Sequence, residues 1–332
     1  MLLPTTHQAA LLLLILSLVC LGSWPNFLKL SKWRFELFYF DFAIGAILLA
    51  VLAAMTLGTL GSELSFNDRI AVAGLRSQAL AIGGGFIFNI GNMLLVAAIS
   101  LVGMAASVPL AVSIGLIVTL ALNWHASSPA LLILGLAALL TTAVTSIIAA
   151  RNRVAANKQP AKAARRATKG IVLAFLGGAM IGGSAPLAEG GLWGDLGLGA
   201  YAGFLMFCLG LVLSTAIFNL FFMNIGIEGG RVGFDAYLRG KISQHILGIL
   251  GGVMWALGSL AVLLEQSVPA VVAPGQTAFT LLTQGSVLLT IVWGLFAWRE
   301  FAGSPKKAKL SIGLTIAFFA CALILLGFRL QP

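Results

Sequence analysis

Arg151–Lys169 reads RNRVAANKQPAKAARRATK, seven Lys/Arg and no acid between two long apolar stretches. Basic residues beside membrane spans stay on the cytoplasmic side during insertion, so the segment reads as a cytoplasmic linker. Residues 1–150 on one side divide into five hydrophobic spans, and residues 170–332 on the other into five more. An odd number per half makes two related halves enter the bilayer in opposite directions, as in many inverted-repeat carriers. The fold expected is therefore an all-α integral membrane protein: ten transmembrane helices in two inverted five-helix repeats, residues 1–150 and 170–332, joined by the basic linker 151–169. The linker's charges either only solvate a connector and set orientation, or serve a regulatory or lipid-binding role.

Composition agrees. The chain is 60% hydrophobic and 9% charged, against about 45–50% and about 25% in soluble domains. A net charge of +10 would suggest nucleic acid in a soluble protein, but here it gathers in short loops between spans, and no nucleic-acid partner is expected. Leu11–Gly22 resembles a signal-peptide core, yet no Lys or Arg precedes it and no small-x-small site follows before Trp24, so it reads as the first span. Cys20, Cys208 and Cys321 fall inside spans without metal-ligand spacing, as small apolar packers.

About 20 apolar residues at roughly 1.5 Å each cross the hydrocarbon core. That ruler places the spans near Ala9–Leu28, Phe40–Leu60, Gln78–Ser100, Met104–Leu122 and Pro129–Ala150, then Gly170–Leu187, Gly199–Met223, Ser243–Leu264, Val268–Trp293 and Leu310–Phe328. Alternate loops then hold 17 Lys/Arg on one side and 3 on the other (Arg69, Arg76 and Arg329), which puts both termini outside the cytoplasm of an inner (plasma) membrane protein.

The halves echo one another. Gly22-Ser23-Trp24-Pro25 in span one finds Gly183-Ser184-Ala185-Pro186 in span six, and Gly84-Gly85 with Gly91-Asn92 in span three finds Gly251-Gly252 with Gly258-Ser259 in span eight. Proline frees a carbonyl, and paired interruptions in corresponding helices point to a central site; the other reading is that each Pro marks a helix end. Gly178–Gly182, Gly199–Gly203 and Gly248–Gly252 are G-x-x-x-G pairs, either for close helix packing or as smooth faces lining a cavity.

Polar residues deep in spans are expensive in lipid and therefore informative. Trp24 and Asn26 lie at the span-one interruption, Asn89 and Asn92 one turn apart in span three, Trp255 in span eight, and Gln276, Thr280 and Gln284 in span nine. Amides, hydroxyls and indoles suit a small neutral polar substrate that stacks and hydrogen-bonds; interhelical hydrogen bonding is the rival reading for each. Ionisable groups stand only near span ends. Glu265, Asp41 and His245 are the proton-coupling candidates, with Glu265 first because Asp41 follows Lys32 and Arg34, whose charge would hold it ionised. Glu189 and Asp195 stand in the loop between spans six and seven. No nucleophile–base set, HExxH, GxSxG or phosphate-loop motif occurs, so neither enzyme chemistry, nor a metal, nor a cofactor is expected.

Leu21-Gly22-Ser23-Trp24-Pro25, then Tyr39-Phe40-Asp41-Phe42, Leu57-Gly58, Gly91-Asn92, Leu122-Asn123-Trp124, Trp293-Gly294 and Glu300-Phe301 with a basic stretch after it, resemble the ureide permeases of the drug/metabolite transporter superfamily, related to bacterial glucose/rhamnose-type sugar transporters. The resemblance implies a secondary active transporter (permease) that moves allantoin, uracil or other nucleobases by alternating access, often as a proton symport. Gln284 matches a Gln of the family. The linker lacks the long phosphate-loop-like central loop of plant members, and Val108 and Leu281 stand where the family has acids. The alternatives are a sugar or drug/metabolite transporter of the same superfamily and, outside transport, a membrane scaffold or passive pore.

Overall fold

The computed structural model describes residues 1–61, 64–123, 128–154, 160–194 and 196–328. Among them every regular element is helical: α1 His7–Ser23, α2 Pro25–Ser31, α3 Phe35–Met55, α4 Phe66–Val72, α5 Leu75–Val102, α6 Met104–Leu122, α7 Pro129–Val154, α8 Pro160–Leu192, α9 Gly199–Ile225, α10 Phe234–Leu238, α11 Ile242–Gln266, α12 Gln276–Val292, a π-helical turn Trp293–Ala297, and α13 Lys306–Phe328. Ten helical stretches are long and apolar enough to cross a membrane, α1 with α2 and α12 with the π-turn each forming one. The chain is a multi-pass membrane protein. In hydrocarbon the backbone must satisfy its own hydrogen bonds, which leaves helices as the form these apolar runs can take.

Span boundaries follow local chemistry. Pro25, at the first position of α2, has no N–H to lose there, and Trp24 marks the break after α1. The matching break in span six is absent, because α8 runs through Pro186 to Leu192. Proline withdraws the donor that would serve the carbonyl four residues back, Gly182, and the Thr119 hydroxyl donates to that carbonyl at 3.1 Å instead. Span nine begins at Gln276 rather than Val268: Pro269 opens a turn closed by the Val272 N–H at 2.8 Å, and Pro274-Gly275 follows, Gly275 at φ +84°. Span two runs Phe35–Met55 instead of Phe40–Leu60, starting after the extended Arg34. The basic segment is largely drawn into helices, through Val154 in α7 and from Pro160 in α8. Trp124, residues 155–159 with Lys158, Asp195 and Arg329 lie outside the described residues.

Two compact units form, and each draws on both halves of the sequence: unit 1 is Met1–Ile90 with Gly183–Gly275, unit 2 is Gly91–Gly182 with Gln276–Pro332. Within unit 1, α3 packs on α11 and α9, and α1 on α11. A Cβ at Gly252 would collide with the Phe42 carbonyl and one at Gly45 with the Ile249 carbonyl, so α3 and α11 meet backbone to backbone. Within unit 2, Gly178 and Gly182 of α8 press on the carbonyls of Ala111 and Gly115 in α6. Backbone-to-backbone approach is thus realised at two of the three G-x-x-x-G pairs, while Gly203 of the third faces the Leu192 side chain. α7 and α13 run antiparallel, Thr145 facing Thr315 at 3.0 Å and Gly135 facing Leu326.

Candidate functional site

In unit 1 the α3 helix carries Asp41 to a place 2% exposed, and both carboxylate oxygens have side-chain partners. The Tyr237 hydroxyl of α10 donates to Oδ1 at 2.7 Å, and His245 Nδ1 of α11 lies 2.8 Å from Oδ2. Gly248, three residues after His245, leaves room for the Asp41 Cβ, which any side chain there would strike. Trp33 stacks on Tyr237 with centroids 5.8 Å apart and planes at 8°, and meets His245 edge-on at 4.9 Å. Burial, then the hydrogen bond to Asp41 and its charge, push the Tyr237 hydroxyl above its ordinary range, so it remains a donor at neutral pH. An imidazole against a carboxylate and a phenol can exchange a proton by changing tautomer or charge.

Arg34, expected from the sequence to hold Asp41 ionised, has partners of its own. Arg34 forks onto Glu36 instead, at 2.9 and 3.3 Å, and donates to the Gly230 carbonyl at 2.7 Å. That hydrogen bond to Glu36 is the main reason its guanidinium pKa is raised. Lys32 ends α2 in a left-handed conformation, φ 49°. Glu265 is buried at the C-terminal end of α11.

A second group in unit 1 is aromatic. Trp255 is buried, its ring 5.3 Å from Phe88 with planes at 29° and 5.7 Å from Phe42, which in turn lies 5.2 Å from Trp24. Asn26 is half-buried and donates to the Ser23 carbonyl at 2.8 Å. Asn89 is fully buried; its amide oxygen accepts from the Tyr39 hydroxyl at 2.8 Å and its nitrogen donates to Ser214 at 2.8 Å and Thr215 at 2.9 Å. Three helices, α3, α5 and α9, are thereby tied together, the interhelical role left open for it. In unit 2, Asn92 is buried, Thr280 and Gln284 are half-buried, and Gln276 is exposed at the start of α12. Asn89 and Asn92 thus belong to different units.

A cavity of about 640 Å³ in unit 1 is lined by residues including Thr5, Arg69, Trp193, Gly197, Gln266 and Ser267, and by none of the predicted substrate contacts among the described residues. No group of three or more His, Cys, Asp or Glu able to hold a metal occurs among the described residues. Sequence reasoning missed Trp33, Tyr39 and Tyr237. Tyr237 sits on a five-residue helix between spans, where a search for polar groups inside spans does not look; Phe234, three residues before it on the same short helix, was the available signal.

The family model for ureide permeases matches residues 38–174. Ureide permease 4 of Arabidopsis thaliana is 33% identical over 118 residues, 33% of this chain and 29% of that protein. Ureide permease 2 of the same plant is 30% identical over 131 residues (37% and 33%), and a probable ureide permease, A3, of Vigna unguiculata is 30% identical over 122 residues (35% and 32%). The chain thus matches about a third of the length of these curated relatives. A solved crystal structure aligns over 96% of this chain and 98% of its own with TM-score 0.53 and 14% identity, a likeness of fold alone. Over residues 38–174 the chain is thus similar to the ureide permeases.

Proposed function

We propose that the protein is a secondary active transporter of small polar neutral compounds, ureides and nucleobases first, working by alternating access across the inner membrane with both termini outside the cytoplasm. The observation that carries this reading is the match of residues 38–174 to the ureide permeases, in a chain with ten helices able to cross a bilayer. The aromatic group of Trp24, Phe42, Phe88 and Trp255 supports a flat substrate, since a planar ureide or base gains by stacking on such faces. Trp24, Asn26 and Trp255, and separately Asn92, Gln276, Thr280 and Gln284, are the substrate contacts proposed. Asn89 is assigned to holding helices together, because its amide already serves Tyr39, Ser214 and Thr215. Residues 1–150 and 170–332 are proposed as the two inverted repeats, and the chemistry as transport without catalysis.

For proton coupling, Asp41 with His245 takes precedence over Glu265, since that pair has a hydrogen-bonded partner able to accept or give the proton. The test is uptake of radiolabelled allantoin, uracil and a hexose into liposomes, with and without a pH gradient, alongside thermal shifts of the purified protein with each compound. Uptake and stabilisation by allantoin or uracil are expected; saturable uptake of the hexose alone would replace this reading with the sugar-carrier one. Loss of gradient-driven accumulation in Asp41→Asn, with downhill exchange retained, is the outcome expected for a coupling residue.

A further inference from the structure

The positive charge of the chain is not spread over it. Unit 2 holds twelve Lys/Arg and one acid, Glu300, whereas unit 1 holds eight Lys/Arg and nine acids. Ten of the twelve lie among the described residues, and they gather at one end of unit 2. Arg151 and Arg153 finish α7, Lys162, Arg165, Arg166 and Lys169 occupy the first three turns of α8, Arg299 precedes Glu300, and Lys306, Lys307 and Lys309 open α13. Hydrogen bonds fix their shared location. Arg153 donates to the Val102 carbonyl at 2.7 Å and Arg166 to the Ser100 carbonyl at 2.9 Å, both at the last turn of α5. The antiparallel run of α13 along α7 sets Lys306–Lys309 beside Arg151–Arg153.

A helix N-terminus carries partial positive charge and favours anions, yet neither α8 nor α13 has an acid in its first turn, and both have Lys there instead. Glu300, the nearest acid in sequence, is buried and spent on a third helix start: its oxygens accept the Met104 and Ala105 N–H groups of α6, each at 2.9 Å. Lys162, Arg165, Lys306, Lys307 and Lys309 remain exposed. The apolar parts of both helices begin immediately after the basic turns, at Gly170 and Leu310. At about 1.5 Å per residue the cations therefore span roughly the first 10 Å outside the hydrocarbon, the depth of lipid headgroups.

We propose that this end of unit 2 is a binding surface for anionic lipid headgroups, whose phosphates supply the negative charge that two acid-free first turns and their lysines lack. Orientation by charge accounts for the side of the membrane but not for the confinement of the excess to one unit; the surface does not depend on what the protein transports. The full chain, purified in neutral detergent, is examined by native mass spectrometry with equal amounts of palmitoyl-oleoyl phosphatidylglycerol and phosphatidylcholine. The wild type is expected to retain the anionic lipid about fivefold or more over the zwitterionic one. K162Q/R165Q/K306Q/K307Q/K309Q brings that preference close to unity, while K29Q/K32Q, at the end of α2 in unit 1, leaves it intact. A wild type without preference overturns the proposal, as does a fivefold variant that elutes as the folded protein and keeps it. If the fivefold variant does not accumulate, K162Q/R165Q and K306Q/K307Q/K309Q made separately must each lower the preference, and failure of both to do so is equally decisive.

Discussion

Asn89 concentrates, in one side chain, the difference between a helix tie and a substrate contact. Replacing it with Leu removes the acceptor for Tyr39 and the donor to Ser214 and Thr215. In membranes such interhelical bonds contribute about 0.6 to 2 kcal/mol, so thermal denaturation in detergent is expected to move down while ligand affinity per folded molecule stays within about twofold. Gln284→Leu is expected to do the reverse, weakening the ligand by about 1–3 kcal/mol with little change in melting. A titration of allantoin or uracil on both variants separates the two roles. Tyr237 provides the pH test. Its hydroxyl is raised above the usual value of about 10 by burial and by Asp41, so the folded state favours the protonated phenol. That contribution is complete below about pH 10 and is lost as pH rises through the higher folded value. Melting temperatures between pH 8 and 11 should therefore fall less steeply for Tyr237→Phe than for the parent.

Among the helices, the glycines sort by what lies opposite them. Gly252→Ala drives a methyl into the Phe42 carbonyl across the α3–α11 contact and is expected to cost about 1–3 kcal/mol. Gly183→Ala in α8 meets nothing within 4 Å and is expected to stabilise by about 0.5–1 kcal/mol through helix propensity. Equal effects of the two on the melting temperature would remove the close-packing account of α3 and α11. Both glycines look alike in the sequence, since Gly-rich spans give small residues on several faces at once. The proline pair taught the same lesson: Trp24-Pro25 interrupts a helix, whereas Pro186 does not, because Thr119 stands ready for the Gly182 carbonyl.

For the whole molecule, the 17-to-3 distribution of Lys/Arg over alternate loops predicts the orientation. In intact cells an impermeant thiol reagent should leave Arg165→Cys unlabelled and label a cysteine added after Pro332; the opposite pattern would invert the topology. The same charges meet very different surroundings. In unit 1, Arg34 and Glu36 neutralise one another and Asp41 faces His245, while unit 2 keeps its excess.

The sequence by itself determined the all-helical, ten-span plan, because about 20 apolar residues in a row have one way to satisfy their backbone in lipid. It also singled out Asp41, His245, Asn89 and Trp255 as polar or aromatic groups in costly places. Only the tertiary structure decided what those groups do for one another. Asp41 lies 204 residues from His245 along the chain, and the Tyr237 hydroxyl reaches it from 196 residues away. Of the basic neighbours of Asp41 in sequence, Arg34 is engaged by Glu36, a pairing two residues apart that the sequence does not announce. Partners so distant in sequence leave no periodicity to read; they are fixed by which glycine faces let helices approach, and that is a property of packed backbones rather than of any one span.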